Sequence, residues 1–345
     1  MKKLLKSGLA QRVAEAAQNY FVPNSNLKCE FIEGNYRDEN LSPFLLPVRN
    51  HAHSGNLAEA AAVIDSYRDK KIFSAIGRPL YSDAARILEN GFGDDKHDIK
   101  ANEEPLKTYA DWYASHPDCP YAATYYASAL QITGHSHRGT DWGHKVKAHQ
   151  WEAMEAYNQQ AQKVFNDTRH KFHNHWYWSK NYLSLALTTS VAKSEIWRRF
   201  ENCIAANPYD YRIYETMANM MLPRWHGSFA DVEQVALRSV KATKEHSGDM
   251  MYAATFASIF DYHDLSELEF NWVRLRKGFE DWLTLFPSDY VKTYFASTAY
   301  TMKDYDLALN LLESLDAFYI ENWDADDDIT LANATCRKFR ASQSS

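Results

Sequence analysis

Three stretches of this chain repeat one spacing: Tyr109, Trp112 and Pro117; Phe200, Cys203 and Pro208; Phe279, Trp282 and Pro287. In each, a bulky or sulfur-bearing residue follows the aromatic by three positions and a proline follows it by eight. Residues three apart share one face of an α-helix. Proline pushes the residue before it away from helical geometry yet suits the first turn of a new helix. Each stretch therefore predicts a helix end with Trp112, Cys203 or Trp282 packed inward, followed by a new helix. His116-Pro117-Asp118, Asn207-Pro208-Tyr209-Asp210 and Pro287-Ser288-Asp289 offer Asx or Ser caps at the restart. Ala127 and Ala218 stand ten positions after their prolines and Ala296 nine, where small side chains let two helices approach closely.

Composition points the same way. Only 12 Gly and 10 Pro in 345 residues are too few for an all-β fold rich in hairpins, and 45% hydrophobic residues suffice for a continuous core. Leu57, Ala60, Ala61, Ile64 and Tyr67 lay one apolar stripe on a helix after Asn56, a candidate N-cap. A second helix carries Ala84, Ala85, Ile87 and Leu88 and is stopped by Gly91-Phe92-Gly93-Asp94-Asp95; the two are expected to pack as a hairpin. Pro23, Pro43 and Pro47 predict an irregular segment over residues 21–50. The expected organisation is an N-terminal arm over 1–54, partly irregular with a short amphipathic helix at Met1–Lys6 and beyond, and a continuous helical domain over 55–345.

Downstream of Pro287 come Tyr294, Ala296, Ala299 and Tyr300, then Asp304-Tyr305-Asp306-Leu307-Ala308-Leu309 and Leu311-Leu312. This run resembles a tetratricopeptide repeat, with Lys303-Asp304 where the usual glycine stands and a turn one residue shorter. The three spacings recur 91 and 79 residues apart, which are not multiples of the family's roughly 34-residue period. Trp112, Pro117, Ala127, Arg138-Gly139, a long helix and then Met221-Leu222-Pro223-Arg224-Trp225-His226-Gly227-Ser228 further resemble a bacterial family of uncharacterised tetratricopeptide-like proteins, over roughly residues 55–245. Members usually carry Gly where His226 stands and Trp near His135. The resemblance implies an all-α fold, an irregular α-solenoid of antiparallel helical hairpins, and no established activity.

A formal charge of −7 argues against general nucleic-acid binding, which needs a basic face. No stretch approaches the roughly 20 apolar residues of a membrane span. Cys29, Cys119, Cys203 and Cys336 have neither disulfide-framework nor zinc-knuckle spacing, which fits a reducing cytoplasm. His135, His137, His144, His149, His170, His173 and His175 cluster, but without HExxH spacing and beside Lys145, Lys147, Arg169 and Lys171, so no metal or cofactor is expected. Nucleophile and phosphate-loop motifs are missing, and no catalytic residue is assigned.

Two loops carry the binding candidates. In Leu222–Ser228, Arg224 can donate to an anion, Trp225 offers a flat apolar face and His226 adjoins them. Alternatively Pro223 ends a helix, Trp225 plugs the junction and Gly227-Ser228 turn and cap the next helix. In Arg138-Gly139-Thr140-Asp141-Trp142, Arg138 and Trp142 line the same groove, or Thr140 or Asp141 caps a long helix running to about Asn166. The run Phe172, Trp176, Tyr177, Trp178 and Tyr182 reads as inter-helix core, with part of it, Trp178, facing another surface. Asp316, Glu321, Asp324 and Asp326-Asp327-Asp328 lack the glycine of a calcium loop and read as a solvated turn, with Asp328 near the cap of the last helix. The expected function is a non-enzymatic module binding a protein or peptide in a concave helical groove. Alternatives are an immunity protein that neutralises a bacterial toxin and a hydrolase or metal enzyme using the histidine-rich middle.

Overall fold

The computed structural model describes residues 29–32, 36–89, 98–260, 263, 265–323 and 328–343. The glycine-rich stop at 91–95, the amphipathic helix at the N-terminus and Asp324, Asp326 and Asp327 of the acidic run lie outside them. The fold is all-α apart from one pair of three-residue strands. The chain divides into two compact units, Asn35–Ser288, and Met1–Gly34 together with Asp289–Ser345. The boundary falls inside the stretch 55–345 that the sequence reads as one domain. Among the described residues no helix is long and apolar enough to cross a membrane.

The larger unit holds α1 (Tyr36–His53), α2 (Leu57–Asp69), α3 (Leu80–Glu89), α4 (Ile99–Ser115), α5 (Pro120–Arg138), α6 (Ala148–Phe172), α7 (Trp176–Ser184), α8 (Lys193–Ala206), α9 (Tyr211–Met220), α10 (Phe229–Ser247), α11 (Met250–Phe260) and α12 (Trp272–Leu285). α1 corrects the irregular segment expected up to Asn50: it is helical through Pro43 and Pro47. It packs on both α2 and α3 and buries Val48 completely, so tertiary burial outweighs proline's local preference. The expected α2–α3 hairpin is present, although Asn56 makes no side-chain capping bond.

The repeated spacing has the meaning the sequence assigns it. Trp112, Cys203 and Trp282 are all buried, and Ala127, Ala218 and Ala296 are fully so. At the first proline, α4 and α5 pack closely; at the second, Asp210 caps α9 by accepting from Arg212 N at 3.2 Å. Asp118 is no cap: α5 starts after Cys119, with Pro120 in its first turn.

Two helices occupy the middle of this unit. Every residue of α7 from Trp176 to Leu183 is buried, and α3 buries Leu80, Tyr81, Ser82, Asp83, Ala84, Ala85 and Leu88. They meet through aromatic contacts: Tyr81 lies edge-on to Trp176 at 4.9 Å, Tyr125 OH of α5 donates to Ala85 O at 2.8 Å, and Tyr177 OH donates to Glu89. The segment before α3 folds back on itself, pairing Phe73 with Pro79. It reaches far along the chain, for Trp282 Nε1 of α12 donates to Ile76 O at 2.9 Å, and Phe73 packs on Phe286 and Tyr211.

The smaller unit contains β1 (Glu30–Ile32), β2 (Ala317–Tyr319), α13 (Asp289–Thr301), α14 (Tyr305–Glu313) and α15 (Ile329–Gln343). The strands are parallel, with Phe31 opposite Phe318. α13 packs on α14 and α14 on α15, around Ala296, Leu312, Leu315 and Phe318. Asp289 Oδ2 accepts from Asp316 N and Ala317 N at 3.0 and 2.9 Å and so fixes the approach to β2. Lys303, in the turn between α13 and α14, adopts φ +62°, a left-handed backbone that costs a side-chain-bearing residue about 1–2 kcal/mol. Asp328 accepts from Thr330 N and Leu331 N and caps α15.

Candidate functional site

The loop between α5 and α6 begins at Gly139, whose φ of +76° lies in the left-handed region that glycine alone adopts freely. α6 does not start from Thr140 or Asp141. A short 3₁₀ turn at Gly143–Lys145 intervenes, and Lys147 is the N-cap, which corrects the capping role expected for Thr140 or Asp141. Gln150, in the first turn of α6, braces the loop: its Oε1 accepts from Lys147 N at 3.0 Å and its Nε2 donates to Arg138 O at 3.0 Å. Lys145 N closes the turn onto Trp142 O at 2.7 Å. Arg138 lays its guanidinium over the Trp151 ring, 5.0 Å from the centroid, and donates from Nη1 to its neighbour Gly139 O at 2.9 Å. Trp142 is 64% exposed and Trp151 38%. The outcome is a braced backbone that holds an indole in solvent.

The second loop follows α9. Trp225 N donates to Leu222 O at 2.9 Å and His226 N to Met220 O at 3.1 Å, which tie the turn to the helix it leaves. Gly227 passes so close to this turn that a Cβ would lie 2.5 Å from Met221 O, so only glycine fits. Ser228 Oγ accepts from Asp231 N at 3.3 Å while Asp231 Oδ2 accepts from Ser228 N at 2.8 Å, a reciprocal capping box for α10. Lys193 adds a 2.7 Å ion pair to Asp231. The turn-and-cap reading of Gly227-Ser228 is what the structure has, but Trp225 does not plug the junction: it is 51% exposed. Arg224 is exposed and donates from Nη2 to Asn219 Oδ1 at 3.0 Å. His226 turns inward, and its Nε2 is buried without a hydrogen-bond partner among the described residues. Each loop is thus held by its own flanking helices, the first by α5 and α6, the second by α9 and α10.

The other sequence candidates fall elsewhere. Phe172, Trp176, Tyr177, Trp178 and Tyr182 are all core, and Trp178 donates its Nε1 to Thr168 Oγ1 at 2.9 Å, facing no outer surface. His144, His149, His170 and His173 are exposed. Among the described residues no group of three or more His, Cys, Asp or Glu is placed to hold a metal ion. Compared with known protein families, characterised proteins and solved structures, the chain matches none of them.

Two features escaped the sequence reading. One is the brace of Gln150 and Trp151; its only signal is a tryptophan nine positions after Trp142, which reads equally well as a buried helix residue. The other is a polar layer buried between α3 and the start of α9. Ser82 Oγ donates to Asp210 Oδ1 at 2.9 Å, Asn207 Nδ2 donates to Tyr81 OH at 2.8 Å, Arg212 pairs with Asp83, and Arg78 pairs with Glu215 at 3.2 Å. Asp210 is fully buried, and burial pushes its carboxyl up, against the positive charge of Lys180 and the Ser82 hydroxyl. Burial likewise pushes the Cys203 thiol up. The layer ties α3 to α9.

Proposed function

We propose that the chain is a non-enzymatic protein-interaction module, an irregular array of antiparallel helical hairpins of tetratricopeptide-like kind that binds a protein partner. The pairing of α4 with α5 and of α10 with α11 supports the hairpin reading, because short connections make neighbouring helices antiparallel. One observation carries the function: Trp142 and Trp225 are 64% and 51% exposed on loops whose backbones are fixed by neighbouring groups. A tryptophan held in water on a rigid loop forgoes the large gain of burial that a partner can restore, and preorganisation lowers the entropy lost on binding. Because α3 and α7 fill the middle of the larger unit, the contact is assigned to these loops in preference to a helix-lined groove. Affinity capture with mass spectrometry tests the reading on wild type, Trp142→Ala, Trp225→Ala and the double variant. A specific partner lost from at least one variant is expected; a captured set unchanged in the double variant removes the proposal.

A further inference from the structure

Resting on that proposed function, we infer that the α5–α6 loop is the primary anchor and that it takes an acidic protein segment. Between His135 and Trp151 the chain carries Arg138, Lys145 and Lys147 with four histidines, and only Asp141 opposes them. This is a local reversal in a chain whose formal charge is −7. Elsewhere the arginines are commonly paired: Arg68, Arg78, Arg198, Arg199, Arg212 and Arg238 all have carboxylate partners. Among the described residues Arg138, Lys145 and Lys147 have none, and Lys145, Lys147, His144 and His149 are exposed around Trp142. The second loop differs, since the nearby Lys193 is already neutralised by Asp231.

The chemistry of Arg138 narrows the partner. Its guanidinium, a planar group, lies over the Trp151 ring with Nη1 donating to Gly139 O, which tethers it beside the loop. A planar fork of that kind suits a carboxylate. The two lysines supply unpaired positive charge beside it, and Trp142 supplies an apolar plate for a neighbouring side chain. A peptide that alternates carboxylates with large apolar residues satisfies all three groups together. An anionic lipid surface would use the charge, but the loop offers a single indole more than half exposed to enter it, Trp142.

The test uses the full chain and a short fluorescein-labelled peptide alternating Glu with Leu, read by anisotropy, with a Gln-for-Glu peptide as control. The Glu peptide is expected to bind roughly tenfold or more tightly than the Gln peptide, and to weaken as salt rises. Trp142→Ala and the double variant Lys145→Glu/Lys147→Glu should each lower its affinity by roughly tenfold, while Val273→Ala, at an exposed position of α12 outside both loops, changes it by less than about twofold. Equal binding of the two peptides, no binding of either, or indifference to the charge reversal overturns the inference. So does phosphatidylserine vesicle binding with the same dependence on the variants, which would assign the loop to membranes, or self-association abolished by the charge reversal, which would assign it to a second copy. If capture of a partner depends on Trp225 and not on Trp142, the interaction module stands and this anchor falls; if capture depends on neither, the module itself falls.

Discussion

His175 makes the stability of the larger unit depend on pH in a calculable way. It is the N-cap of α7, its ring lies edge-on to Tyr121 at 5.0 Å, and its buried Nδ1 has no hydrogen-bond partner among the described residues. Burial, with the positive charge of Arg68 adding to it, lowers its pKa to about 3. An unfolded chain returns the imidazole to about 6.5. The folded pKa is depressed, so this contribution is fully present above about pH 6.5 and is lost as pH falls toward about 3, because only the unfolded state takes up the proton in that window. Each unit below the unfolded pKa removes about 1.4 kcal/mol, so acidification from pH 8 to pH 5 should remove about 2 kcal/mol through this one residue. His175→Phe keeps a ring against Tyr121 and abolishes the titration. Urea unfolding followed by tryptophan fluorescence at both pH values, in wild type and variant, isolates the term, because every other titrating group is common to the two proteins. The loss of stability between pH 8 and pH 5 should be smaller in the variant by about 2 kcal/mol. A difference within about 0.5 kcal/mol of zero would refute a buried neutral imidazole at this position.

Further outcomes follow from burial. Arg212→Leu leaves the Asp83 carboxylate buried beside α9 without its partner and should cost roughly 3–5 kcal/mol in the same unfolding assay, whereas removing the exposed Arg238–Glu201 pair should cost under about 1 kcal/mol. Native thiol titration should modify Cys29 and Cys119 and spare Cys203 and Cys336, both fully buried, the latter pushed up by burial to about 11; all four should react after unfolding. Fast native labelling of Cys203 would contradict the core placement of α8.

What the sequence made legible was local periodicity. Tyr109 with Trp112 and Phe279 with Trp282 announce inward faces because three-residue spacing alone aligns them, and Asp210 announces a helix start because a capping carboxylate acts on the backbone N–H two residues on. What it hid was long-range. Ser82, Asp83 and Arg86 look like the solvent side of α3, since the Asp210, Arg212 and Glu215 groups that face them lie well over a hundred residues away. The prolines of α1 signalled irregularity because the packing that holds the helix cannot be read from its own residues. For the loops, the spacing around Pro223 and Gly227 predicted the turn and the cap, but whether Trp225 fills a junction or faces water depends on neighbours that the local sequence does not contain.

In an open stack of helical repeats each unit touches only the next, so a few terminal units can be cut away and the rest still stand. The reach of the segment around Phe73–Pro79 to Tyr211, Trp282 and Phe286 removes that modularity. The backbone oxygen of Ile76 receives the indole N–H of a residue more than two hundred positions later, so early and late helices of the larger unit complete each other's packing. Shortening the chain from the front through this segment strips packing partners from α12 as surely as from α2.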